Sequence, residues 1–100
     1  MENDKSKKFK EITNEMIELF ERKNSDYNNS IHDTYMKYGA VAYLVRMEDK
    51  INRVRSLTQN NNQKVDEKIK DTLIDLANYS ILMLLELEGD KNGIWKRNVY

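Results

Sequence analysis

The chain has 100 residues, with no cysteine, no proline and three glycines; 34% of residues are charged and 39% hydrophobic. Lys plus Arg and Asp plus Glu both total 17, so the formal net charge is zero. A disulfide framework and a Cys-based zinc site are thereby excluded, and the basic excess of a nucleic-acid binder is missing.

The first predicted helix runs from about Lys5 to Lys23. Phe9, Ile12, Met16, Leu19 and Phe20 recur at helical spacing and form one apolar stripe, with Glu11, Glu15, Glu18 and Glu21 mainly on the far side. Ser25, Asp26, Asn28, Asn29 and Ser30 then break the pattern, as turn-forming side chains do. In this segment Lys23, Asn24, Asp26 and Tyr27 are candidate ligand contacts. A tyrosine on a polar turn can stack on a nucleobase, and Asn or Asp can read its edge; a plain capping turn with the ring packed on the bundle is the commoner outcome.

The second helix is expected to start near Asp33 or Thr34, either of which could cap it, and to reach Leu57. Gly39 lies inside and is a point where it bends or breaks. His32, the only histidine, reads as a loop residue before that start. Arg46, Asp49, Lys50 and Arg53 fall at i, i+3, i+4 and i+7, which is one face. Val41, Leu44, Val45, Met47 and Ile51 take the other faces, and Glu48 projects among them. It is either a metal ligand or the partner of a core arginine such as Arg55.

Gln59-Asn60-Asn61-Asn62-Gln63 reads as a loop. The third helix runs from near Val65 to Gly89, a plausible C-cap. From Asp75 onward it is apolar nearly all round, the pattern of a buried helix. Yet Glu67, Asp71 and Asp75 stand at i, i+4 and i+8, with Asn78 extending that face. Carboxylates so spaced repel one another, and burying one unpaired is costly. A metal ion, basic side chains or both should stand opposite. A solvated acidic edge is the plain alternative. Antiparallel pairing with the second helix would bring Asp49 toward Asp71 and Asp75. Arg46, Lys50 and Arg53 would then meet anionic oxygens. Hard oxygen ligands with phosphate completing the shell suit Mg²⁺.

These elements predict an all-α antiparallel bundle of three main helices plus a short helical segment. They form a single domain over 1–89, followed by a tail over 90–100 in which Trp95 serves as an anchor. The longest apolar run, Ile81–Leu85, is far below the roughly 20 residues of a membrane span. The opening MENDKSKKFK lacks the apolar core of a signal peptide. The expected protein is cytoplasmic, with neither membrane nor nucleic-acid partner. A chain this small and polar makes a thin core, so burial shared in a homodimer or homotetramer is expected.

Three motifs occur in order: Lys23-Asn24-x-Asp26-Tyr27, then Arg46-x-x-Asp49-Lys50-x-x-Arg53, then Glu67-x-x-x-Asp71-Thr72-Leu73-x-Asp75-Leu76-Ala77-Asn78-Tyr79. Together, over residues 9 to 88, they resemble a small family often found in phages, nucleotide modification associated domain 1. That family looks like a relative of the all-α MazG-like nucleoside triphosphate pyrophosphohydrolases, helical bundles that release pyrophosphate with Mg²⁺. The resemblance implies an enzyme acting on a dNTP or NTP in a bacterial or phage-infected cell. Asp49, Asp71 and Asp75 would be catalytic, and with Glu67 would hold Mg²⁺ (or Mn²⁺). Lys23, Asn24, Asp26, Tyr27, Arg46, Lys50, Arg53, Asn78 and Tyr79 would bind substrate. The MazG-like E-x-x-E and E-x-x-D pairs are not reproduced. Glu15-x-x-Glu18 lies on the first helix, and the later pair, Asp71-x-x-x-Asp75, is one residue wider. The alternative is a non-catalytic phage protein that sequesters a nucleotide-derived immune signal.

Overall fold

The computed structural model describes residues 3–23, 29–60, 65–90 and 93. Its described elements are four helices: α1 (Asp4–Lys23), α2 (Asn29–Tyr38), α3 (Val41–Leu57) and α4 (Val65–Glu88). No strand occurs among the described residues. The all-α expectation and the bounds expected for the first and last helices hold to within a residue or so.

Local chemistry explains most of the ends. Asn3 caps α1, its Oδ1 accepting from the Ser6 N–H at 2.7 Å. Asp66 and Glu67 sit in the first turn of α4, where the helix dipole favours negative charge. The expected second helix is two helices, because Gly39 takes φ 75°, a left-handed conformation that glycine adopts without steric cost. Its N–H still donates to the Tyr35 carbonyl at 2.7 Å, closing α2. The expected start at Asp33 or Thr34 is corrected to Asn29. Ile31 is buried, and its burial draws the turn-prone Asn29 and Ser30 into the first turn. His32 is therefore helical and not in a loop.

The core is aromatic. Tyr43 is fully buried at the centre, with Tyr35 edge-on at 5.9 Å and Tyr79 edge-on at 6.5 Å. Ile31, Ala42 and Leu82 complete it, and Phe20, Met47 and Met83 pack against it. T-shaped rings at such spacing are worth about 0.5–1.5 kcal/mol per pair beyond the area they bury.

Helices α3 and α4 are antiparallel. Lys50 meets Asp75 and Arg53 meets Thr72, so each step along α3 is a step back along α4. Helix α1 lies against another side of α4 and runs in the same sense as it. Ile12 and Met16 share a groove with Ile69, Leu73 and Ala77, while Ile17 and Phe20 share one with Ile81 and Leu85.

Two expectations about burial are corrected. The late part of α4 is not buried all round: Tyr79 and Leu82 are, but Ile81, Leu84, Leu85 and Leu87 are exposed. The neighbouring helices cover only part of its circumference. On α3, Tyr43 and Met47 face the core, whereas Leu44, Val45 and Ile51 face outward. Glu48 is exposed with them, and Arg55 donates to Asn52 Oδ1 at 3.0 Å.

Candidate functional site

The antiparallel seam of α3 and α4 brings part of the predicted site together. Lys50 Nζ lies 3.2 Å from Asp75 Oδ2, both side chains about two-thirds withdrawn from water. One turn further along α3, the Arg53 Nε–H donates to Thr72 Oγ1 at 3.3 Å. Thr72 is only 3% exposed, and its hydroxyl in turn donates to the Lys68 carbonyl at 2.7 Å. Lys50 is thus held at its ammonium and Arg53 at its Nε–H, each by a side chain of α4. Arg46, one turn before Lys50 on the same face of α3, is exposed. The Thr72 contact occupies only the Nε–H of Arg53. A guanidinium has five N–H donors, and its outer fork matches the spacing of two phosphate oxygens.

The carboxylates behave differently. Asp49, Glu67 and Asp71 are exposed, and only Asp75 reaches the cationic stripe. Among the described residues, no three His, Asp or Glu side chains are grouped so as to hold a metal ion. The four oxygen ligands expected for Mg²⁺ are therefore not gathered within one chain, and no step is assigned to a metal.

Asn78 is partly buried and lines the apolar groove between α1 and α4. Tyr79 is 6% exposed and belongs to the aromatic core. The side chain of Lys23, the turn residues Asn24, Asp26 and Tyr27, and Trp95 of the tail lie outside the described residues.

Sequence reasoning missed two features. Thr72 carries no charge and breaks no pattern, so its role as the anchor for Arg53 becomes visible only through the register of the two helices. The second feature is a pair at the other end of α4. His32 Nδ1 stands 2.9 Å from both Glu86 oxygens, the Glu86 side chain being 14% exposed. Fifty-four residues separate them, and no local motif announces the contact. The hydroxyls of Tyr35 and Tyr43 are buried without a hydrogen-bond partner. The Tyr43 hydroxyl is close enough to Glu86 to feel its charge. Burial, then the charge of Glu86, pushes Tyr43 well above the ordinary tyrosine range. Burial raises Tyr35 as well, aided by Asp90 and Glu86.

A family model described as nucleotide modification associated domain 1 matches residues 23–87, more than half of the chain. No curated protein and no solved structure matches.

Proposed function

The chain belongs to the nucleotide modification associated domain 1 family, and on that premise we propose that the α3/α4 seam binds the phosphate groups of a nucleoside phosphate. The observation that carries this reading is the tethered pair of cations, Lys50 on Asp75 and Arg53 on Thr72, in line with Arg46. Holding long basic side chains near their charged ends lowers the conformational entropy lost when an anion arrives. Arg53 and Arg46 would take phosphate oxygens through their forks, and Lys50 would act as a point charge. Asp75 plays two opposed parts. It orients Lys50, and it competes with the phosphate for the ammonium.

The resemblance to MazG-like pyrophosphohydrolases supports a nucleoside triphosphate as ligand, and cleavage to monophosphate and pyrophosphate is the reaction that follows from it. Capture without cleavage is equally compatible with the tethered cations. The test is incubation with a pooled nucleotide extract, with and without Mg²⁺ and Mn²⁺, followed by mass spectrometry of bound and released species. The expected result is retention of nucleoside di- or triphosphates in preference to nucleosides, abolished in Arg53→Ala. Pyrophosphate in the released fraction would assign hydrolysis, and intact ligand would assign sequestration. Retention of nucleosides as strongly as triphosphates would overturn the phosphate reading.

A further inference from the structure

The last turn of α4 holds Glu86 and no basic residue, although the carbonyls at a helix C-terminus favour a cation. The charges of Glu86 and Asp90 both reach the Tyr35 hydroxyl. Eleven residues, three helical turns, separate Glu86 from Asp75, or about 16 Å along the axis. This end of the helix is therefore distinct from the Lys50–Asp75 pair.

Three kinds of donor meet there. His32 Nδ1 stands 2.9 Å from Oε1 and 2.9 Å from Oε2 of Glu86. A single N–H bonds best when it points at one oxygen. A nitrogen placed astride both is where a ligand stands when it shares a cation with a chelating carboxylate. Donors about 2.1 Å from one ion and at right angles to each other lie about 3 Å apart. Tyr43 is fully buried, and its hydroxyl has no hydrogen-bond partner and lies within reach of the Glu86 charge. The Tyr35 hydroxyl is buried and unpartnered as well, its ring 5.9 Å from that of Tyr43 and 6.4 Å from that of His32. Buried polar groups are nearly always partnered, so two orphaned hydroxyls beside a carboxylate call for a bound group.

We infer that His32, Glu86 and Tyr43 hold a divalent transition-metal ion of the zinc class, with Glu86 chelating through both oxygens. An imidazole nitrogen suits Zn²⁺, Cu²⁺ or Ni²⁺, whereas Mg²⁺ prefers oxygen throughout and gives up its water reluctantly. The third donor is a phenol oxygen and not a third carboxylate or imidazole. The His32 side chain is 48% exposed, so the ion enters from that side and its remaining positions face water, as in sites that keep a place open for a ligand. The ion offsets the carboxylate charge at the C-terminus of α4 and gives the Tyr43 oxygen a partner. This inference does not rest on the nucleotide reading.

Titration of the full, chelator-stripped chain with Zn²⁺ tests it, read by calorimetry, thermal melts and ultraviolet absorbance. Zn²⁺ should bind saturably and raise the melting temperature, and Mg²⁺ at equal concentration should not. A bound cation draws the proton from a ligating hydroxyl. Tyrosinate absorbance should therefore appear on adding Zn²⁺ at mildly alkaline pH. His32→Ala alters a half-exposed side chain, so it should keep its helical circular dichroism while the Zn²⁺ dissociation constant rises about tenfold or more. If that variant loses its helix signal, the isosteric Glu86→Gln makes the same measurement. Tyr43→Phe should bind Zn²⁺ more weakly and lose the absorbance change. No saturable Zn²⁺ binding, unchanged affinity in the His32 or Glu86 variant, or an undiminished tyrosinate signal in Tyr43→Phe would each overturn the assignment. None of these readouts involves a nucleotide, so failure here leaves the seam reading untouched, and loss of nucleotide retention bears only on the seam.

Discussion

One helix, α4, takes part in two unlike seams. Against α3 and α2 it is closed. Tyr79 and Leu82 meet Tyr43, Tyr35 and Ile31 in a core with edge-on rings, and the flank carries Lys50–Asp75 and Arg53–Thr72. Against α1 it is open. Met16 is buried, but Ile12, Ile17, Ile81 and Leu85 remain half in water beside two apolar grooves. The closed seam holds its apolar groups in the centre and its charges at the edge. The open seam has the apolar material of an interior without enough neighbours to cover it. A helix that is apolar nearly all round is therefore not covered all round by the described helices packed against it.

The sharpest way to break this contrast is to remove its centre. Tyr43→Ala should cost about 3–5 kcal/mol, as large-to-small changes of buried aromatics do, and should leave the chain largely unfolded in a thermal melt. Tyr43→Phe should be neutral or stabilising, because the hydroxyl it removes is buried without a partner. A loss above about 1 kcal/mol in Tyr43→Phe would mean that the hydroxyl bonds Glu86 in solution.

Adjacent residues on α4 give the next test. Leu82→Ala should cost about 2–5 kcal/mol by denaturant titration. Ile81→Ala should cost about 0.5 kcal/mol or less. Equal costs would show the open seam to be as well packed as the closed one.

Alkaline titration probes the same core. Tyrosine ionises near 10.0 when unperturbed, and Tyr43 and Tyr35 are both raised in the folded state. The folded chain thus holds these protons more tightly than the unfolded chain. The associated stability is complete below pH 10 and is lost as pH rises above it. Ultraviolet tyrosinate absorbance should rise together with loss of helical dichroism, and Tyr35→Phe with Tyr43→Phe should move the alkaline midpoint upward. Ionisation of both rings with the helices intact would contradict their burial.

The smallest stability effects are expected at the seam's charged edge. Lys50→Ala should change stability by no more than about 1 kcal/mol, since the pair is partly exposed, while lowering retention of nucleoside triphosphates. Asp75→Asn separates two roles. If Asp75 only competes for Lys50, retention in the absence of metal rises. If it also binds a ligand-borne cation, retention in Mg²⁺ falls. No change under either condition would remove Asp75 from the site.

Much of the fold was legible residue by residue. The stripe Phe9, Ile12, Met16 and Phe20 marked α1, and the long apolar run after Asp75 marked α4, because helical period is a local property. Gly39 was legible as a break, although only its positive φ made it a full separation of α2 from α3. The site was legible in part. Arg46, Lys50 and Arg53 could be placed on one face from spacing alone, and antiparallel pairing set one of them, Lys50, against Asp75. The gathering of Asp49, Glu67 and Asp71 did not follow, because sharing a helical face does not fix whether that face looks at a neighbour or at water. Tyr79, which sits inside the motif that carries the family likeness, turned inward to the core.

The amino-acid order by itself determined the helical class, the approximate helix bounds and the stripes of like chemistry, since these depend on backbone propensity and on contacts three or four residues apart. Tertiary structure alone decided which stripe became interior, which acid met a base, and that His32 would find Glu86 across the chain. Those outcomes depend on register and on rotation of one helix against another, and are set by how the aromatic rings fit together rather than by any local preference.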